Sequence, residues 1–80
     1  MFKVSEIAPV ATRMQNGIDA FVQVIVDRGY DQQDANAIYQ VMRDLKVLNF
    51  DYNIGRVSVK HGALLESESL DRALEMSKAA

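Results

Sequence analysis

The side chains that could carry chemistry in this 80-residue chain are few and lie far apart in the sequence. His61 is the single histidine, and the absence of cysteine excludes thiolate metal sites and thiol chemistry. The nearest carboxylate pairs on a common surface, Asp27 with Asp31 and Glu68 with Asp71, are explained by charge preferences at helix ends. No glycine-rich phosphate loop and no nucleophile motif occurs. We therefore expect a protein that is not an enzyme and that uses no metal, no cofactor and no small-molecule substrate.

The charge balance argues against a general binder of polyanions. Nine basic residues oppose eleven acidic ones, for a net charge of −2, whereas nucleic-acid affinity comes from many Lys and Arg contacts to phosphate. The first residues lack the apolar core of a signal peptide, and no run reaches the ~18 apolar residues of a membrane span. Together with the missing cysteines, these features predict a cytoplasmic, single-domain protein over residues 1–80 with no membrane contact.

The stretch from Lys46 to Lys60 carries the signature of a β-hairpin. Two short alternating apolar runs flank a turn that ends in Gly55. The alternation places Leu48, Phe50 and Tyr52 on an inner face, where the valines of the second strand can meet them. Because a two-stranded sheet is marginal in water, this face must lie on helices, and we expect Phe50 to be a core residue.

The first helix is predicted over 9–28, with residues 1–8 extended before Pro9. Its apolar residues, Ala11 among them, recur every three or four positions, which indicates one buried stripe. Gly17 lies in the middle of this helix. Either its cost in helix stability is tolerated, or it marks a point where another backbone comes close. Additional valines broaden the apolar surface, so we expect either a helix wrapped by its own chain or a homodimer. The residues predicted for self-association are Val10, Met14, Ile18, Phe21, Val22 and Ile25.

Two further helices are predicted on either side of the hairpin. The second spans 32–45, with Asp31 as its N-cap and a buried face that ends in Leu45. The third spans 68–78, with Ser67 as its N-cap and Leu70 on its inner face. The result is an α+β fold, mostly helical, in which three helices pack around a two-stranded antiparallel hairpin in the order α-α-β-β-α.

This order of elements resembles the winged-helix architecture over roughly residues 18–65. The resemblance implies that the second helix is a recognition helix and that Tyr52–Gly55 is the tip of a wing. The exposed amide side chains of the second helix and the nearby cations could then contact base edges and phosphates. The residues predicted to bind a partner, whether protein or DNA, are Gln33, Asn36, Gln40, Arg43, Lys46, Arg56 and Lys60.

The function expected from these features is a non-catalytic protein–protein interaction module. Such a module would be a small accessory, regulatory or inhibitory protein that acts by binding a larger partner. The alternative is a winged-helix-like DNA-binding regulator, against which Asp31, Asp34 and Asp44 on or beside the second helix would repel phosphate. Small size and acidic charge are also common in phage-encoded inhibitors, although no residue here identifies one.

Overall fold

The structure, a computed structural model, describes the backbone of residues 4–79 and the side chains of residues 11–79. Within that part of the chain, the elements are α1 Val4–Asp27, α2 Gln32–Asp44, β1 Leu48–Asp51, β2 Arg56–Val59, a 3₁₀ helix Gly62–Leu65 and α3 Ser67–Ala79. The predicted fold is confirmed: the chain is mostly helical, with a two-stranded antiparallel sheet and the order α-α-β-β-α.

Helix α1 begins at Val4, earlier than predicted, and ends at Asp27. Pro9 therefore lies inside the helix, and the prediction that the chain up to Ala8 is extended was wrong for Val4–Ala8. A proline removes one backbone hydrogen bond, but its bias against helical geometry in the preceding residue is a preference rather than a barrier. Residues 1–3 lie outside the described part of the chain.

Helix α2 is closed at both ends by specific hydrogen bonds. Asp31 is its N-cap, as predicted, and its carboxylate accepts a 2.7 Å hydrogen bond from the Asp34 N–H. At the other end the N–H of Val47 donates to the Met42 carbonyl, while Lys46 takes a positive φ of 60°. This pattern is a Schellman motif, which turns the chain sharply from the helix into β1. It leaves Leu45, predicted to be buried, half exposed at the helix end.

The hairpin pairs Leu48 with Val59 and Phe50 with Val57 on the face toward the helices. The outer pairs are Asn49 with Ser58 and Asp51 with Arg56, and all four side chains are exposed. Phe50 packs against the core but is only half-buried. Tyr52 was predicted on the inner face, and this was wrong, because the strand ends at Asp51 and the turn places Tyr52 in solvent.

The 3₁₀ helix and α3 are each joined to the α1–α2 turn by a polar contact. The guanidinium of Arg28 donates a 2.6 Å hydrogen bond to the Leu65 carbonyl, and the Tyr30 hydroxyl donates to the Asp71 carboxylate. Helix α3 begins at Ser67, so Ser67 is not its N-cap as predicted. The preceding Glu66 holds that position, and its carbonyl accepts the first helical bond from Leu70 at 3.0 Å.

The core lies where α1 meets the other elements. Helix α1 contacts β2 and α2, while α3 packs on α2. One aromatic pair, Phe21 of α1 and Tyr39 of α2, meets edge to face with ring centroids 6.1 Å apart. The buried apolar residues are Met14, Phe21, Val22, Ile25, Ala35, Ile38, Tyr39, Met42, Leu48, Val57, Leu70 and Ala73.

Candidate protein-binding surface

The stripe predicted for self-association is used mostly inside the molecule. Met14, Phe21, Val22 and Ile25 are buried in the core of their own chain, and Ile18 packs against that core. These side chains therefore cannot form a face for a second copy without leaving the core. The side chain of Val10 lies outside the described residues. Ala11, predicted on the same buried stripe, is exposed.

The seven residues predicted to bind a partner are all exposed. On α2, Gln33, Asn36, Gln40 and Arg43 recur at spacings of three and four residues and so share one face. This face is mainly uncharged, and it ends at Arg43, whose guanidinium lies 3.7 Å from the Asp44 carboxylate.

Arg43 at this end of α2 and Tyr52 in the hairpin turn both act on the hydroxyl of Tyr39. Burial raises the pKa of Tyr39, nearby Arg43 acts in the opposite direction, and the phenol of Tyr52 raises it further. Arg43 of α2 and Tyr52 of the turn thus both act on the same phenol, and we group Arg43 with the turn on this basis.

The hairpin turn is held tightly against α1 by two glycines. A Cβ atom on Gly17 would lie 2.7 Å from the carbonyl carbon of Gly55, a separation that real contacts of this kind do not show. A Cβ atom on Gly55 would lie 2.5 Å from the Arg13 carbonyl oxygen, and Gly55 itself has a φ of 63°. Gly17 thus marks the close approach of another backbone, one of the two explanations that the sequence left open.

Hydrogen bonds fix the rest of the turn. The Arg13 guanidinium donates a 2.8 Å bond to the Asn53 carbonyl, and the Asp51 carboxylate accepts a 3.0 Å bond from the Asn53 N–H. The turn therefore lies on helix α1 along its length instead of extending away from the body. This arrangement differs from the wing tip that the winged-helix resemblance implies for Tyr52–Gly55.

The most exposed large apolar side chains lie on this rigid turn. Tyr52 is 58% exposed and Ile54 is 60% exposed. Arg13 anchors the turn on one side and Arg43 adjoins it on the other, while Arg56 begins the strand that leaves it. We call the group Arg13, Arg43, Tyr52, Asn53, Ile54 and Arg56 the turn surface.

The composition of the turn surface is typical of protein interfaces. Tyrosine and arginine are enriched among the residues that dominate binding energies, particularly around an apolar centre. Its three cations are accompanied by two nearby carboxylates, those of Asp51 and of Asp44, which pairs with Arg43, so the surface keeps a small positive excess on a chain with net charge −2. The sequence prediction included Arg43 and Arg56 but missed Arg13, Tyr52 and Ile54, and the sequence signal that could have located them is the glycine in mid-helix.

An apolar groove between α2 and α3 shares no residue with the turn surface. It is bordered by Leu45, which is 51% exposed, and by Met76 of α3, which is 44% exposed. Arg72 lies at its edge and makes a 3.4 Å ion pair with Glu68. Its exposed apolar side chains match those of the turn surface in size, which makes it a suitable site for control substitutions.

The five side chains considered for catalysis are all exposed to solvent. His61 is exposed; Asp27 accepts a hydrogen bond from Gln23, and Asp71 accepts one from Tyr30. Over the described residues, histidine and acidic side chains form no group that could hold a metal ion. None of the helices described here has both the length and the apolar character to cross a membrane.

Comparisons of the chain with protein-family models, with curated proteins and with solved structures found no match.

Proposed function

We propose that the protein is a non-catalytic interaction module that binds a larger protein through the turn surface. The observation that carries this proposal is the exposure of Tyr52 and Ile54, at 58% and 60%, on a turn that is fixed to α1. Exposed apolar residues surrounded by polar ones are characteristic of protein contact sites. We propose an accessory, regulatory or inhibitory role for this module, because it has no group arranged for catalysis in the described residues and an exposed apolar site for a partner.

The anchoring of the turn supports binding as well as stability. A loop that must become ordered on binding loses about 0.5–1.5 kcal/mol for each side chain immobilised. Here the glycine contact and the Arg13 bond to Asn53 already hold the backbone in place. The backbone positions of Tyr52 and Ile54 are therefore fixed before any partner arrives, and only the two exposed side chains must become ordered on binding.

The charge around the turn indicates the kind of partner surface that fits it. Arg13 bonds the turn and Arg56 directly follows it, so a partner with an apolar pocket and an acidic edge would be complementary. Of the remaining residues predicted from sequence, Gln33, Asn36 and Gln40 share an exposed face of α2, while Lys46 and Lys60 lie just outside the hairpin strands. The absence of cysteine supports our proposal that the protein acts in the cytoplasm.

Affinity capture with matched variants tests the proposal. The wild-type protein, the double variant Tyr52→Ser with Ile54→Ser, and the control Leu45→Ser with Met76→Ser are immobilised and exposed to lysate of the source cells. Retained proteins are identified by mass spectrometry, and the affinity of a purified candidate is then measured by calorimetry.

The control variant, Leu45→Ser with Met76→Ser, also removes two exposed apolar side chains, but from the groove between α2 and α3. We expect a protein that wild type and control bind equally and that the turn variant binds at least tenfold more weakly. Equal affinity of the turn variant for that partner would reject the turn surface as the contact site.

The alternative function is DNA binding, supported by the exposed amides of α2 and by four nearby cations, Arg43, Lys46, Arg56 and Lys60. Four phosphate contacts would give the logarithm of the affinity a slope of about −3.6 against the logarithm of salt concentration. Fluorescence anisotropy with duplex DNA measures this slope. Sub-micromolar, sequence-selective binding at about 150 mM salt would favour this alternative, and we expect none.

A further inference from the structure

Helix α1 exposes a broad face that includes Thr12, Gln15, Asp19 and Gln23, and the stripe of this face beside the hairpin turn has a regular arrangement. Its members recur at steps of three and four residues and so share a narrow face of the helix. They are Arg13, Asn16, Ala20, Val24 and Asp27. We call this set the outer stripe, and it is distinct from the buried stripe on which Met14, Phe21 and Ile25 lie.

The outer stripe is arranged symmetrically about Ala20. Arg13 lies seven residues before Ala20 and Asp27 seven residues after it, while Asn16 and Val24 each lie four residues away. If a second α1 lies antiparallel with a two-fold axis at Ala20, each Arg13 faces the Asp27 of the other copy. An interface around such an axis must be self-complementary, and this stripe has opposite charges in the required positions.

The shape of the stripe also suits a second helix. Ala20 has a small side chain, and Val24, which is 38% exposed, lies beside a shallow groove between α1 and the turn. Gly17 and Gly55 form the floor of this groove and Ile54 forms its wall. Small residues allow two helix axes to approach to about 8 Å, so Val24 of one copy can enter the groove of the other.

The charged residues at the ends of the stripe are held in position. Arg13 uses one N–H group to bind the Asn53 carbonyl, and Gln23 donates a 2.9 Å hydrogen bond to the Asp27 carboxylate. A guanidinium has five N–H donors and a carboxylate has two oxygens, so both groups retain capacity for an additional bond. We infer that two copies of this chain associate through the outer stripes of α1 as an antiparallel, two-fold symmetric pair.

This inference keeps the self-association expected from the sequence but assigns it to different residues. The contact is small, because one helix face with a single valine on each side buries less than the ~1,200 Å² of a standard interface. We therefore expect a weak dimer that forms at micromolar or higher protein concentration. The stripe includes Arg13 and the groove includes Ile54, both of which also belong to the turn surface, so the dimer and a larger partner would compete for these residues.

A cysteine at the symmetry axis gives a direct test. The chain has no cysteine, so Ala20→Cys introduces a single thiol. In the inferred pair the two thiols face each other within the Cα separation of about 4.4–6.8 Å that a disulfide allows. The control is Glu75→Cys, an exposed helical position on α3. Under the same oxidant and at equal concentration we expect the Ala20→Cys dimer to form at least tenfold faster.

A charge reversal tests the same interface without a covalent bond. Asp27→Lys places like charges opposite each other, and we expect the dimer dissociation constant from sedimentation equilibrium to rise at least tenfold. Asp19→Lys is the matched control, because Asp19 accepts the same kind of bond from Gln15 but lies about 100° around α1 from Ala20, outside the stripe. Equal effects of the two reversals, or equal cross-linking rates of the two cysteine variants, would overturn the inference.

Discussion

Gly17 illustrates what a single residue contributes to this fold. Its missing side chain lets the backbone of the hairpin turn reach the helix surface, and Gly55 completes the contact from the other side. The cost of glycine in a helix, about 1 kcal/mol relative to alanine, is offset by this contact. The sequence indicated that Gly17 was unusual but could not name the segment 38 positions away that meets it.

We predict that Gly17→Ala destabilises the protein by about 1–3 kcal/mol, the usual cost of overpacking, although alanine is the better helix former. The added methyl group would overlap the Gly55 carbonyl. Urea denaturation followed by circular dichroism measures the change. Gly62→Ala is the control, since a methyl group there meets no atom within 4 Å. If Gly17→Ala were as stable as Gly62→Ala, the glycine contact would not form.

Lys46 is the one residue other than glycine with a positive φ in the described part of the chain. Left-handed backbone costs a residue with a Cβ atom about 1–2 kcal/mol. We therefore predict that Lys46→Gly raises the free energy of unfolding by about 1 kcal/mol, measured by thermal and urea denaturation. Lys46→Ala separates the backbone effect from the loss of charge and should give no comparable gain. An equally large gain in the free energy of unfolding for Lys46→Ala would show that the loss of charge, and not the backbone conformation, causes the effect.

At the scale of elements, most helix and strand positions could be predicted because periodicity records which face is buried. Helices α2 and α3 follow their predicted ranges, 32–45 and 68–78, within one residue at each end, and both strands lie inside the predicted hairpin stretch from Lys46 to Lys60. The prediction errors lie where contacts between distant parts of the chain determine the local structure. Helix α1 extends five residues beyond the predicted start at Pro9, and the turn that contains Tyr52 is fixed by residues of α1. No local pattern contains such information.

The contact between the α1–α2 turn and α3 is sensitive to pH. The hydrogen bond to Asp71, with burial and the carboxylate charge, raises the pKa of Tyr30 to about 12. An unfolded tyrosine titrates near pH 10. The neutral phenol is therefore favoured in the folded state, and its contribution to stability is complete below pH 10 and is lost as the pH rises toward 12.

We predict that Tyr30→Phe lowers the stability by about 1–2 kcal/mol at neutral pH, the usual value of a hydrogen bond to a charged group at a half-buried site. The difference from wild type should shrink between pH 10 and pH 12. Guanidinium denaturation at several pH values measures it. Tyr52→Phe, in an exposed position, is the control and should match wild type throughout. A constant difference for Tyr30→Phe across this range would contradict the Asp71 bond.

At the scale of the whole molecule, one small core must hold every element. The fully buried side chains include Ile25 of α1, Ile38 of α2 and Leu70 of α3, which thus each anchor one helix. The sequence predicted these faces as buried. It could not show that α1 is covered on its apolar side by its own chain, because that depends on where β2 and α2 lie. For the same reason the residues expected to mediate self-association lie mostly inside the molecule.

We predict that Ile38→Ala lowers the free energy of unfolding by about 2–5 kcal/mol, since it removes a fully buried side chain and leaves a cavity. For a domain of this size that loss is a large fraction of the total, about 4–12 kcal/mol. Differential scanning calorimetry measures it. Ile54→Ala, at an exposed position, should change stability by less than about 0.5 kcal/mol. Similar losses for both would show that the core is assigned incorrectly.

The contact between Gly17 and Gly55 also limits how this sequence can diverge during evolution. Neither position can gain a side chain unless the hairpin moves away from α1, and a change at one glycine cannot be compensated at the other. Any descendant that keeps this fold should therefore keep both glycines while most of the surface varies. An alignment of relatives in which either glycine is freely replaced while the hairpin sequence is retained would contradict the contact between them.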